Sequence, residues 1–215
     1  MGQVSEFMTY RSQQGGFIKL AAIVLAALFL QGCSDPKLSF VPEGSTILAF
    51  GDSLTLGVGT DKMNSYPSVL SALSGRQVVN AGVSGETTER GLARLPEQLS
   101  QTNPDLLILL EGGNDILRNK DFAATKRNLA AMIELAQNRG VQVVLLGVPE
   151  KRLFLGVAPF YADLAEDYQL VFEDQLVATL LRNSDYKSDP IHLNEKGYRV
   201  LAEKIHELLQ DNGAF

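Results

Sequence analysis

One cysteine, two histidines and no tryptophan are all that the 215 residues contain of those three types. With only Cys33, His192 and His206, the chain cannot build an all-cysteine, a two-cysteine and two-histidine, or a three-histidine zinc centre, and no EF-hand spacing of acids is present. No metal is expected. A lone cysteine also excludes an intrachain disulfide. Positive charge is in the minority, with 19 Lys and Arg against 25 Asp and Glu and a net charge of −6. That is the wrong sign for a surface that neutralises phosphates, so nucleic acid is not an expected partner. The hydrophobic content of 45% and charged content of 20% are near globular averages, which sets disorder, collagen and coiled coil aside. The length suits one ordinary domain.

The longest apolar run, AAIVLAALFL at 21–30, follows Arg11 and Lys19 and precedes Gln31, Gly32 and Cys33. As a helix it would span only ~15 Å, half of a bilayer's hydrocarbon core, so the layout is that of a signal peptide and not of a spanning helix. Leu30-Gln31-Gly32-Cys33 resembles the bacterial lipobox, and the resemblance implies that Cys33 becomes the lipidated first residue of the mature chain. The expected divisions are a lipoprotein signal peptide over 1–32, a lipidated tether over 33–44 and a domain over 45–215. By the same analogy, Ser34 implies an outer-membrane lipoprotein facing the periplasm, partnered with the membrane through its lipid. The bland alternative is an unmodified Cys33 on a soluble periplasmic protein.

Beyond residue 45, nearly continuous apolar runs recur at 46–50, 77–80, 105–111, 141–148 and 170–172. Unbroken apolar strands are what a parallel sheet covered on both faces requires. Helical stretches fall between them at 64–73, 86–101, 121–139, 159–168 and 195–210. Asp121 can cap the third of these, and Pro96 should kink or restart the second. Alternating units of this kind predict an α/β fold, a three-layer α/β/α sandwich on a five-stranded parallel sheet. Ligands then bind at the carboxyl ends of the strands.

Four segments deliver chemistry to that edge. Gly51-Asp52-Ser53-Leu54 puts a serine directly after the first strand, where a plain turn that caps a helix is the bland reading. The α/β-hydrolase elbow is absent, because Thr55 stands where its second glycine belongs. Ser84-Gly85-Glu86 follows the second strand, and Gly85 can aim a backbone N–H into the cleft. Gly112-Gly113-Asn114-Asp115 follows the third and exposes an amide donor at Asn114. Asp189-Pro190-Ile191-His192 precedes the last helix with a spacing that lets Asp189 hold one ring nitrogen of His192 while the other takes a proton. His206, among Glu203, Lys204 and Glu207, reads as a surface residue.

Taken in order, these four blocks resemble the GDSL or SGNH hydrolases over about residues 46–210, with a flavodoxin-like sheet. Within them the chain looks most like the acyl-CoA thioesterase I, lysophospholipase and arylesterase branch, through Ser84-Gly85-Glu86-Thr87-Thr88, Gly91 to Pro96, and Leu110 to Asp115. The resemblance implies a cofactor-free serine esterase acting on a small ester or lipid through an acyl-enzyme. Ser53 would be nucleophile, His192 base and Asp189 its orienting acid, with the oxyanion met by Ser53, Gly85 and Asn114. Ile116, Leu117, Phe154 and Leu155 are expected to contact substrate, and the stretch from Gly147 to Tyr161 is expected to face it. Three alternatives stand beside this reading. A polysaccharide O-deacetylase of the same fold would be favoured by stacking aromatics, and tryptophan is absent. A noncatalytic envelope lipoprotein would tolerate loss of Ser53, Asp189 or His192, and all are present. A phosphodiesterase would want more cations than Lys151 and Arg152.

Overall fold

The structure, a computed structural model, describes residues 36–150 and 156–215. Cys33, Phe154 and Leu155 lie outside the described residues, as do the signal peptide and the start of the tether.

Five parallel strands form one sheet: β1 (Thr46–Gly51), β2 (Gln77–Gly82), β3 (Leu106–Leu110), β4 (Gln142–Leu146) and β5 (Val171–Glu173), in the order β2-β1-β3-β4-β5. Every residue of β3 and residues 47–51 of β1 are buried, because both strands are central and covered above and below. The described helices are α1 (Ser53–Leu56), α2 (Tyr66–Ser74), α3 (Thr88–Thr102), α4 (Gly113–Leu117), α5 (Phe122–Gln137), α6 (Phe160–Asp167), α7 (Leu176–Arg182) and α8 (Glu195–Asp211). From β1 the chain steps one way to β2 and then runs back across the sheet. With right-handed crossovers that reversal sends α2 to one face and α3, α5 and α6 to the other. α2 packs against α8, and α3 against α5, which completes the three layers. The order is flavodoxin-like, as expected, and the reversal opens a crevice at the carboxyl ends of β1 and its neighbours.

Several expectations need correction. α3 runs unbroken through Pro96 with no restart. Proline removes one helical hydrogen bond, but Leu95 and Leu99 beside it are buried against the sheet, and that packing holds the helix together. Residues 38–41 are not tether: Leu38 and Val41 donate their N–H groups to the carbonyls of Asn212 and Ala214, and Val41 is fully buried. His206 is half-buried, with its ring 5.4 Å from that of Phe215, instead of lying freely on the surface. Helices α1, α4 and α7 were not expected, since four, five and seven residues are too few to display a helical stripe.

Candidate active site

Gly51 ends β1 where a Cβ would stand 1.9 Å from the Leu110 carbonyl oxygen, so only glycine lets the chain turn out beside β3. The next residue, Asp52, caps α1 by accepting the Leu54 N–H at 3.0 Å. Ser53 therefore begins a short helix at the crevice, its side chain held on a rigid turn. The turn is a helix cap, and it also places Ser53 at the crevice.

His192 approaches from the segment between α7 and α8. Asp189 Oδ1 accepts the backbone N–H groups of Ile191 and His192, each at 2.9 Å, which folds the segment into a tight turn. Oδ2 then lies 2.7 Å from His192 Nδ1, and His192 Nε2 lies 3.0 Å from Ser53 Oγ. Asn194 pins the far side, capping α8 through the Gly197 N–H at 2.9 Å. Desolvation pushes the Asp189 carboxyl up, but the His192 ring and the two amides outweigh it and hold it below the usual carboxylate range. It stays ionised beside the ring and sets the tautomer in which Nε2 is the acceptor.

On the opposite wall, Asn114 Nδ2 donates to Asp52 Oδ2 at 3.2 Å, which uses one amide proton and leaves the other for the cleft. Gly85 lines the same cleft at φ +73°, a left-handed conformation that glycine adopts without strain. Its carbonyl accepts Arg118 Nη2 at 3.0 Å. The loop it sits in is braced by a Glu86–Arg94 ion pair at 2.5 Å, with the Arg94 guanidinium over the Phe50 ring. Asp115 is buried and accepts both the N–H (2.9 Å) and the Oγ1 (2.8 Å) of Thr88, which ties the Asn114 turn to the start of α3. Tyr161 donates to the Glu111 carbonyl at 2.6 Å and supports the same turn from behind. Phe160 and Tyr161 are thus buried buttresses at the start of α6 and do not face substrate as expected.

Beneath this turn lies an unusual group. Glu111 is fully buried and neither carboxyl oxygen makes a hydrogen bond of ordinary geometry. Burial, and then the charges of Asp52 and Glu86, push its carboxyl well above the ordinary range. Burial likewise lifts Asp52 to about 6, against the lowering pull of the Leu54 amide, His192 and Asn114. Both groups bind a proton more readily folded than unfolded, so stability is lost as pH rises. Asp52's part is lost between its unfolded value of 3.8 and about 6, and Glu111's is lost as pH rises above the ordinary carboxylate range. Glu111→Gln is expected to flatten the fall of Tm as pH rises above the ordinary carboxylate range. Thermal unfolding from pH 5 to 9 checks this, and an unchanged slope would assign the loss to another group.

Ser53, Gly85, Asn114, Ile116, Leu117 and His192 line one cavity of about 160 Å³. Its remaining apolar wall is Leu54, Val148, Pro149, Leu181 and Ile191. Leu181 had no signal in the sequence, because α7 itself had none. Asp52 did carry one, since it adjoins the serine, but its bond to Asn114 links residues far apart in the chain. Among the described residues, no three His, Cys, Asp or Glu side chains converge as metal ligands do.

A serine, an imidazole and a carboxylate in hydrogen-bonded series at the switch point of a flavodoxin-like sheet define a hydrolase of the SGNH type. The chain belongs to the GDSL-like lipase/acylhydrolase family, whose model matches residues 49–200. It is 36% identical over 130 residues to the esterase TesA of Pseudomonas aeruginosa, an alignment covering 58% of this chain and 65% of that one. The chain therefore spans just under two thirds of that relative. It is 27% identical over 173 residues to thioesterase 1/protease 1/lysophospholipase L1 of Escherichia coli, covering 77% and 83% of the two chains. The crystal structure of AlinE4, an SGNH-hydrolase family esterase, superimposes with a TM-score of 0.61 at 32% identity, covering 80% of this chain and 97% of the other.

Proposed function

We propose that the protein is a serine esterase that hydrolyses carboxylic aryl or acyl esters through an acyl-enzyme on Ser53. The observation that carries this reading is the unbroken series from Asp189 Oδ2 through both His192 nitrogens to Ser53 Oγ, opening into an apolar cavity. As Ser53 Oγ bonds to the ester carbonyl carbon, His192 Nε2 takes its proton. The oxygen that becomes negative is met by the N–H groups of Ser53 and Gly85 and by the second amide proton of Asn114. Collapse breaks the bond to the leaving oxygen, which receives the proton from His192. Water then attacks the acyl-enzyme, gives its proton to His192, and the acid departs as Ser53 regains a proton. The relative named for thioesterase and lysophospholipase activities supports extending the substrates to thioesters and lysophospholipids. A panel of p-nitrophenyl esters from acetate to palmitate, beside acyl-CoA, lysophospholipid and acetylated xylan, tests the class. Cleavage of the xylan alone would favour the deacetylase.

Asn114→Ala separates this reading from a noncatalytic binding module. Its amide would stabilise charge that exists only in the transition state, so kcat on a short aryl ester is expected to fall ~10²–10³-fold with KM little changed. A parallel fall in Tm with a raised KM would instead make Asn114 a turn residue.

We also assign the protein to the cell envelope, as an outer-membrane lipoprotein facing the periplasm. The support is the lipobox-like Leu30-Gln31-Gly32-Cys33 after a charge-free apolar run. Cys33→Ser is expected to move the protein from the membrane fraction to the soluble periplasm with kcat on soluble esters unchanged. Membrane retention of that variant would exclude the lipid as anchor.

A further inference from the structure

The two ends of the sheet have separate tasks. Ser53, Gly85 and Asn114 follow the carboxyl ends of β1, β2 and β3, and Pro149 follows β4. The first described residues are fixed at the other end. Ser39 exchanges two hydrogen bonds with the side chain of Gln142, the first residue of β4, at 2.5 and 3.1 Å. The Val41 carbonyl accepts Arg76 Nε at 2.7 Å, and Arg76 immediately precedes β2. Lys37 Nζ reaches the Asp211 carbonyl at 3.1 Å. Phe40, 64% exposed, stands on this edge beside Arg76. Arg76 itself is buried, and the exposed Phe40 ring suits a bilayer's interfacial zone.

Only Ser34 and Asp35 separate Cys33 from Pro36, so the link reaches at most ~10 Å when fully extended. A strand of six residues already spans ~20 Å, the depth between the pinned edge and the cleft. The link is too short to pass around the domain and turn the cleft toward the lipid. We propose that, once anchored through Cys33, the domain holds its cleft away from the bilayer that carries it. It therefore acts on esters arriving from solution and not on lipid esters of its own leaflet. This rests on the esterase and anchor readings above.

The test expresses the full precursor in a bacterial host and purifies the membrane form. Mass spectrometry reads Cys33, and the protein is reconstituted into phosphatidylcholine vesicles. A second form carries about 20 Gly and Ser residues between Asp35 and Pro36, a flexible insert with a root-mean-square span of ~25 Å. Each is given a soluble aryl butyrate and the same aryl ester joined to a two-chain lipid, the latter in detergent micelles and in the enzyme's own vesicles. Both forms are expected to cleave the soluble and micellar esters at equal rates. On the vesicle-borne ester the native link should be at least tenfold slower than the long one. Equal rates of the two forms on the vesicle-borne ester, both fast or both slow, would overturn the proposal. An unlipidated Cys33 would instead refute the anchor, and inactivity on the soluble ester would refute the esterase, each taking the proposal with it.

Discussion

Ser53→Ala is expected to abolish ester turnover, with kcat on a soluble aryl ester falling by roughly 10⁴–10⁶ and the fold unchanged. The effect is large because, among the described residues, the side-chain partner of His192 Nε2 is Ser53 Oγ at 3.0 Å. The fold survives because the hydroxyl takes no part in the turn. The cap is made by the Asp52 side chain on the Leu54 N–H, and the Ser53 carbonyl still accepts from Gly57 and Val58. Burst kinetics and labelling of Ser53 by a serine-directed phosphonate give the positive control, with far-ultraviolet circular dichroism checking the fold. A variant that keeps more than about a thousandth of wild-type kcat would remove Ser53 from the nucleophile's role.

Asp189→Asn should cost almost as much by a different route, lowering kcat about 10³–10⁴-fold at neutral pH with little change in KM. The two carboxylate oxygens have separate duties. Oδ1 folds the turn by accepting the Ile191 and His192 amides, and an asparagine oxygen can continue to do so. Oδ2, 2.7 Å from Nδ1, would be replaced by an NH₂ group that can only donate. The ring would then carry its proton on Nε2, where it faces Ser53 and cannot accept. Because the Asp189 side chain is 44% exposed, water can partly stand in for it, which places the expected loss at or below that of a fully buried acid. Stopped-flow kinetics with thermal unfolding on the same variant check this. A loss under tenfold would mean that Asp189 merely shapes the turn.

Local signals make part of this site legible in the sequence alone. Strands β1, β3 and β4 stood out because a sheet sealed on both faces needs uninterrupted apolar residues. The four loops stood out because each pairs a turn-forming glycine or proline with a reactive or amide side chain. What escaped was held by contacts distant in sequence. Tyr161 supports Glu111 across 50 positions and Asp52 orients Asn114 across 62, and neither relation leaves a periodic trace. The apolar segment of α7 is too short to show a stripe, so Leu181 was invisible as a wall of the cleft. The tether was drawn too long for a related reason. Residues 38–41 show neither strand nor helix periodicity, and what fixes them is the far end of the chain.

That joining of residues 38–41 to residues 212–214 bears on the order of folding. β1 sits in the middle of the sheet and is made before the other strands, yet the segment leading into it is clasped by Asn212 and Ala214, which follow α8. Contacts between positions more than 170 apart form late and slowly, since a long loop must close before they are rewarded. A chain emerging from its amino terminus can assemble β1, β2 and β3 but cannot lock the entry to β1 until residues 212–214 have been made. The domain should then open as one cooperative unit, with neither residues 38–41 nor residues 212–214 able to fray on their own.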